Sequence, residues 1–297
     1  MGRAGAAAFC PLRHRGSADV FGPVVEKSTP RSAQVSCSTA SINSRHLKTL
    51  PMKRLRAILR LLYFVAFAII LIARVQLRFW FSGEDMDWAL RLRQRWVRRY
   101  LLPAVGVRLR VEGLPPTGPC LLVGNHRSYL DPALIVAEVL GWPLSKAEVD
   151  RWPLVGRGIR MTGVLFVQRE DTNSRKDALT AIAAKIHEGY PVILFPEGTT
   201  HADAHTRAFR PGAFRVAVEA GVPIVPVALD YRTSLPYWIG DDAFLPHFLR
   251  CFGARYTDAA VHFGPPLRST NADEAIAAAR CWIDEHLDRI RQNFSAT

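Results

Sequence analysis

The chain has 297 residues, of which 49% are hydrophobic, enough to fill the core of one large domain or two small ones. Its five cysteines, at positions 10, 37, 120, 251 and 281, lie far apart and form no CxxC pair, which argues against a disulfide framework or a zinc site and fits a reducing compartment. The formal charge of +13 is uneven: basic residues outnumber acidic ones seven to two over residues 1–52 and thirteen to three over 53–110, against nineteen to twenty-one thereafter, so the basicity belongs to the N-terminal third.

Residues 1–51 are rich in Ala, Ser and Arg, poor in acids and without a sustained hydrophobic period, which predicts disorder. An organelle-type presequence, a flexible tail and a start codon assigned too far upstream all fit this composition. The last is favoured, because Met52-Lys53-Arg54 directly before an apolar run is a common start for a membrane protein. Met1-Gly2 is not a myristoylation signal, since Ala6 stands where Ser or Thr is needed.

From Leu61 to Ala73 thirteen residues carry no charge, flanked by Arg60 and Arg74 and followed by Phe79-Trp80-Phe81. A bilayer span needs about 20 apolar residues, so a crossing from Ala57 to Leu77 requires the flanking arginines to snorkel. A second helix is expected over Asp85 to Leu102, with Trp88, Leu92, Trp96 and Tyr100 at helical spacing and Arg91, Arg93, Arg95, Arg98 and Arg99 covering the remainder. Residues 52–102 therefore read as a two-helix motif lying in or on a membrane, and residues 103–297 as a folded domain. A soluble helix pair packed on that domain is the plainer alternative. The arginines adjoin an apolar run rather than a recognised nucleic-acid motif, so no nucleic-acid partner is expected.

Cys120 to Val123 is a strand-length apolar run that breaks at Gly124-Asn125, which places His126 at the mouth of a buried strand. Asp131-Pro132 then reads as a helix start, with Asp131 at the cap and Pro132 in the first turn. The four residues between them let the carboxylate fold back onto one imidazole nitrogen, fixing the tautomer and leaving the other nitrogen to take a proton from a hydroxyl. Spacing alone means little, because His14 and Asp19 repeat it in a segment with no strand or helix around it.

The strand context is supported further along. Gly163 to Arg169 is a strand ending in arginine, Val192 to Thr200 is a strand entering a Glu197-Gly198-Thr199 loop, and Gly221 to Leu229 is an apolar β-branched run. Ser174 to Glu188 reads as a helix capped by Ser174 and stopped by Gly189, so strands alternate with helices. That order predicts an α/β fold, a central β-sheet covered by helices on both faces, whose ligands gather beyond the strand ends where His126, Arg169 and Glu197 would meet. Arg169 offers a planar fork of donors to a phosphate or carboxylate, or it pairs with Glu170 or Asp171 on the surface. Gly198 permits close backbone approach, and Thr199 can donate to phosphate oxygens. Glu197 would repel a phosphate directly and is expected to orient Arg169 or hold the loop. Arg210, before a helix start, can add positive charge to the site, and Lys146 is a further phosphate candidate or a solvated surface lysine. His201, Asp203 and His205 alternate in a loop and read as solvated, so no metal is expected. Residues 231–258 read as irregular and aromatic, and Asn271 as the cap of a last helix whose apolar face is Ile276, Ala279, Ile283 and Leu287.

Four blocks in this order, NHRSYLD, a strand ending in Arg169, FPEGT and VPIVP, resemble the 1-acylglycerol-3-phosphate acyltransferase family of lysophospholipid acyltransferases over residues 105–265. The resemblance implies a glycerolipid acyltransferase-like fold and an enzyme of phospholipid biosynthesis that moves an acyl chain from acyl-CoA or acyl-carrier protein to a lysophospholipid, most simply lysophosphatidic acid. It implies His126 as general base, Asp131 as its orienting partner, and no cofactor beyond the donor substrate. A lyso-ornithine lipid or another lysolipid as acceptor, a His-Asp thioesterase or hydrolase, and a catalytically silent membrane-binding protein are the alternatives. The absence of GxSxG argues against a serine hydrolase. The expected location is the cytoplasmic face of a membrane, either monotopic or crossing once.

Overall fold

The computed structural model describes residues 44–152, 155–168 and 171–296, and leaves the side chains of 44–51 and 155 undescribed. The reading of residues 1–43 as disordered thus lies outside the described residues. The backbone of 44–51 is helical where disorder was expected.

The described residues open with α1 (Ser44–Ser82), which turns into α2 (Met86–Trp96), capped by Asp85 through the Trp88 amide. A π-helical stretch, Val97–Leu101, and the short α3 (Leu102–Ala104) lead to β1 (Val107–Glu112), β2 (Leu121–Gly124), α4 (Asp131–Val136) and β3 (Trp142–Lys146). Next come α5 (Ala147–Asp150), α6 (Val155–Met161), β4 (Leu165–Val167), α7 (Thr172–His187), β5 (Val192–Leu194) and α8 (Gly212–Glu219). The chain finishes with β6 (Ile224–Tyr231), α9 (Phe244–Phe252), β7 (Thr257–Phe263) and α10 (Ala272–Ser295).

Seven described strands form one sheet in the order β1-β7-β6-β2-β5-β3-β4, with β6 and β7 antiparallel and every other neighbouring pair parallel. All four residues of β2 and all eight of β6 are buried, as strands covered on both faces must be. Side chains alternate between two apolar layers. Leu122 and Val227 join Leu134 and Ile135 of α4 and Phe248 of α9, while Leu121 and Val123 face Ile182 of α7, Phe214 of α8 and Ile283 of α10. This is the expected α/β sheet between helical layers, made mixed by the antiparallel β6–β7 pair.

Local expectations need correction in four places. The cap of α7 is Asp171, which accepts the Asn173 amide at 2.9 Å; Ser174 instead accepts the Gln168 amide at 2.9 Å and ties the helix to the end of β4. Helix α4 begins with Asp131 inside it and Leu130 at the cap, so the Asp131 side chain is free to act elsewhere. Residues 231–258 are not irregular throughout, because α9 lies within them. Arg93 does not cover an outer face: it is buried and donates to the carbonyls of Thr162 at 2.5 Å, Gly163 at 2.9 Å and Gly141 at 2.5 Å. Asn271 caps α10 as expected, accepting the Asp273 and Glu274 amides.

The α1–α2 pair is a hairpin. Phe67, Leu71 and Val75 pack against Ala89 and Leu92, and Arg78 approaches Asp85 to 3.5 Å. α1 is also fastened along the domain. Arg60 donates to the carbonyls of Phe252, Ala254 and Arg255 at and just past the end of α9, Phe64 packs on Phe248, and Gln76 accepts from Arg157 at 3.0 Å. Gly106, at φ +82°, has no side chain because the Arg60 guanidinium occupies that space. The outer face leaves Leu59, Leu62, Ile70, Trp80 and Phe81 exposed.

Candidate active site

Strand β2 ends at Gly124, and Asn125 secures the exit. Its side chain donates to the Leu229 carbonyl at 2.8 Å and accepts the Leu229 amide at 2.9 Å, which continues the β2–β6 pairing through a side chain. His126 follows with its imidazole 14% exposed, stacked on Phe195 at 4.2 Å between centroids.

Asp131 folds back onto this turn. Its Oδ2 accepts the Arg127 amide at 2.6 Å and the Ser128 amide at 2.8 Å, and lies 2.7 Å from His126 Nδ1. Its Oδ1 accepts the Tyr231 hydroxyl at 2.6 Å. The carboxylate is fully buried, so these bonds replace the water it gives up. Asp131 therefore organises the turn before the helix. With Nδ1 committed to Asp131, His126 keeps Nε2 as its other nitrogen, and no hydrogen bond among the described residues occupies that atom.

A second carboxylate fixes the neighbouring loop. Glu197 Oε2 accepts the His126 amide at 2.9 Å and Oε1 accepts the Arg207 amide at 3.0 Å. His201 Nε2 lies 2.8 Å from Oε1 but off the line of a good hydrogen bond. Gly198 has φ +77°, and a Cβ there would meet Arg210 Nε at 2.9 Å, which places the Arg210 side chain across the loop.

Because β2, β3, β4 and β5 are parallel, their C-terminal ends share one sheet edge. His126 follows β2 there, Lys146 ends β3, and Glu197, Gly198 and Thr199 follow β5. Lys146 lies 3.1 Å from Glu148. Thr199 is exposed. Arg169, two positions beyond β4, lies outside the described residues, so its meeting with His126 and Glu197 goes undescribed.

The solvated reading of His201 is overturned. The ring is buried, and its Nδ1 accepts the Asp203 amide at 3.2 Å and sits 3.2 Å from Arg127 Nη1, while Arg127 also donates to the His201 carbonyl at 2.9 Å. Asp203 pairs with Arg207 and also lies 3.6 Å from His201 Nδ1, whereas His205 turns away to Asp288. Among the described residues no group of three His, Cys, Asp or Glu side chains could hold a metal.

Sequence reasoning did not single out Asn125, Arg127, Phe195 or Tyr231. Tyr231 carried a signal, because period two along β6 puts it on the same face as Val227 and Leu229, toward α4. Burial and then the adjacent Asp131 charge hold its phenol far above the ordinary tyrosine range, so it stays a donor.

At the strand ends of this mixed α/β sheet an Asp-held histidine sits beside a glycine loop clamped by a second carboxylate. Residues 107–230 match the family model described as Acyltransferase. The lyso-ornithine lipid O-acyltransferase of Pseudomonas aeruginosa is 36% identical over 233 residues, covering 75% of this chain and 90% of that protein. The chloroplastic 1-acyl-sn-glycerol-3-phosphate acyltransferase of Brassica napus is 30% identical over 182 residues, covering 61% of this chain but only 50% of that protein. The crystal structure of the 1-acyl-sn-glycerophosphate acyltransferase PlsC of Thermotoga maritima superposes with a TM-score of 0.63 over 80% of this chain and 98% of that one, at 22% identity, and shares the fold. The chain belongs to the glycerolipid acyltransferase family and is an acyltransferase. Among the described residues, one helix segment, Met52–Ser82, is long and apolar enough to cross a membrane and suits the chain to membrane association.

Proposed function

We propose that the protein transfers an acyl chain from acyl-CoA or acyl-carrier protein to the free hydroxyl of a lysophospholipid, converting lysophosphatidic acid to phosphatidic acid. The observation that carries this reading is the 2.7 Å contact between His126 Nδ1 and the buried Asp131 carboxylate. Asp131 holds the Nδ1–H tautomer, so Nε2 takes the proton as the acceptor oxygen attacks the thioester carbonyl. The carbon–oxygen bond forms, the carbon–sulfur bond breaks, and the imidazolium returns its proton to the departing thiolate. A thioester is already activated, so no acyl-enzyme is required and positioning does the rest. Arg169, Lys146, Thr199, Gly198 and Arg210 are the acceptor-binding set on this reading. Glu197 supports it from the loop, and neither a metal nor a cofactor takes part.

A lyso-ornithine lipid is the second acceptor, favoured by the 36% identity to the Pseudomonas aeruginosa enzyme across 90% of its length. Purified protein given both lysolipids and both donors, with products read by mass spectrometry, decides between them. In the same assay His126→Ala should lower transfer by at least about 10⁴-fold, the upper end for loss of a general base, with the protein still folded. Asp131→Asn should be milder but severe. Near-normal turnover of the His126 variant would end the mechanism.

The location we infer is the cytoplasmic face. Lys53, Arg54 and Arg56 before the apolar run favour a cytoplasmic start, and thioester donors are found there.

A further inference from the structure

We propose that Tyr231 is a positioning residue for the His126–Asp131 pair, setting both the rotamer of Asp131 and the share of its negative charge that reaches the imidazole. The inference rests on the general-base reading above. Three of the four donors to Asp131 crowd onto Oδ2: two backbone amides and the imidazole. Oδ1 receives the Tyr231 hydroxyl at 2.6 Å, from a side chain one hundred residues away on β6. The amides pin one oxygen but leave the carboxylate able to rotate about it; a donor on the second oxygen fixes the plane.

The donor is itself immobile. Tyr231 is buried in the layer between β6 and α4, paired through its backbone with Ala259 of β7, and its ring lies 6.3 Å from that of Tyr237. Its hydroxyl draws electron density from the carboxylate. Without it, more negative charge faces His126, and imidazolium gains stability at the expense of the free base.

Other charged and titratable groups surround the pair. Glu197 accepts the His126 amide, with His201 and Arg127 behind it. Asp230 precedes Tyr231 and is held by Arg291 at 2.9 Å and by the Tyr237 hydroxyl. Burial pushes the Cys251 thiol up to about 12, so it is neutral in the working range. These contacts of Glu197 and Asp230 do not use the Tyr231 hydroxyl.

The experiment is a pH–rate profile on the full-length protein with lysolipid and thioester donor, for wild type, Tyr231→Phe, and a protein with 3-fluorotyrosine incorporated at position 231. For Tyr231→Phe the acid limb of kcat should move up by about half to one pH unit, about half of what a bond to a charged group is worth because the effect reaches the imidazole only through Asp131, and the plateau kcat should fall by roughly 10-fold while KM for both substrates holds. Fluorotyrosine, a stronger donor of nearly the same shape, should move the acid limb down. An unshifted limb in both proteins, or shifts of the same sign, overturns the proposal and leaves Tyr231 a packing residue. If Tyr231→Phe does not fold, the sign of the fluorotyrosine shift decides alone. His126→Ala, run in parallel, separates the two failures: if it stays active, the general-base reading has failed and not merely the role of Tyr231.

Discussion

Glu197 shows how a side chain can sit in an active-site loop without facing a substrate. Each of its oxygens accepts a backbone amide, one from His126 and one from Arg207, so the carboxylate joins the strand exit of β2 to the loop after β5. Glu197→Gln keeps the shape but turns one acceptor into a donor facing an N–H. The loss should be about 1–3 kcal/mol of stability, read by thermal unfolding as about 2–4 °C per kcal/mol, with a fall in kcat because His126 is held less firmly. A change confined to the KM of the lysolipid, with unfolding unmoved, would instead give Glu197 to the acceptor. The sequence offered holding the loop or orienting Arg169 as roles for Glu197, but not the atoms involved, since backbone amides leave no mark in a pattern of side chains. The His126–Asp131 pair was legible because a buried strand, a Gly-Asn break and a helix-starting Asp-Pro surround it. Tyr231 and Arg127 were not, because one meets Asp131 only when β6 lies beside β2, and the other looks like any surface arginine.

At the scale of elements, the strands that could be read were those buried on both faces. β2, β5 and β6 are short apolar runs between breakers. β1 is an edge strand with arginines at alternate positions and mostly outward side chains, so its sequence carries little apolar pattern. α9 was hidden by Pro246, which reads as a breaker yet falls in the first turn, where the missing N–H costs nothing. On α2 nothing distinguishes Arg93 from its neighbours in the sequence, but only a long side chain with several donors could satisfy three carbonyls from two separate segments. Burial pushes its pKa down to about 9, which leaves it charged at neutral pH. Arg93→Ala should cost about 3–5 kcal/mol, because it empties a buried cavity and strands the carbonyls of Gly141, Thr162 and Gly163. Chemical denaturation measures that loss, whereas Arg91→Ala, whose side chain is half exposed beside Asp87, should move it by less than about 1 kcal/mol.

For the whole molecule, the question is how a domain fastened to an apolar helix meets a bilayer. α1 is anchored at Arg60 and again at Gln76, sixteen positions apart, which at 1.5 Å per residue is about 24 Å, most of a hydrocarbon core of about 30 Å. Were α1 to cross, the elements packed along it would be carried to the same depth. Those include α2 and the π-helical stretch after it, whose Arg91, Arg95, Arg98 and Arg99 would each add about 2.5–3.5 kcal/mol at mid-bilayer. A helix lying in one leaflet, its inner side on the domain and Leu55, Leu59, Leu62, Ile70 and Leu77 in lipid, avoids that cost. The monotopic arrangement is therefore the one we expect, with the strand ends that hold His126 served by lipid from the same leaflet. The protein should need detergent for extraction, resist high-salt washing, and stay bound when residues 1–51 are removed. Leu62→Glu combined with Ile70→Glu should release it into the soluble fraction with unfolding unchanged, since both side chains point away from the domain at 60% and 56% exposure. Reporters at Met52 and after Thr297 should lie on the same side of the membrane. Opposite sides would mean that α1 leaves the domain and spans, and that the contacts of Arg60 and Gln76 do not persist in the bilayer.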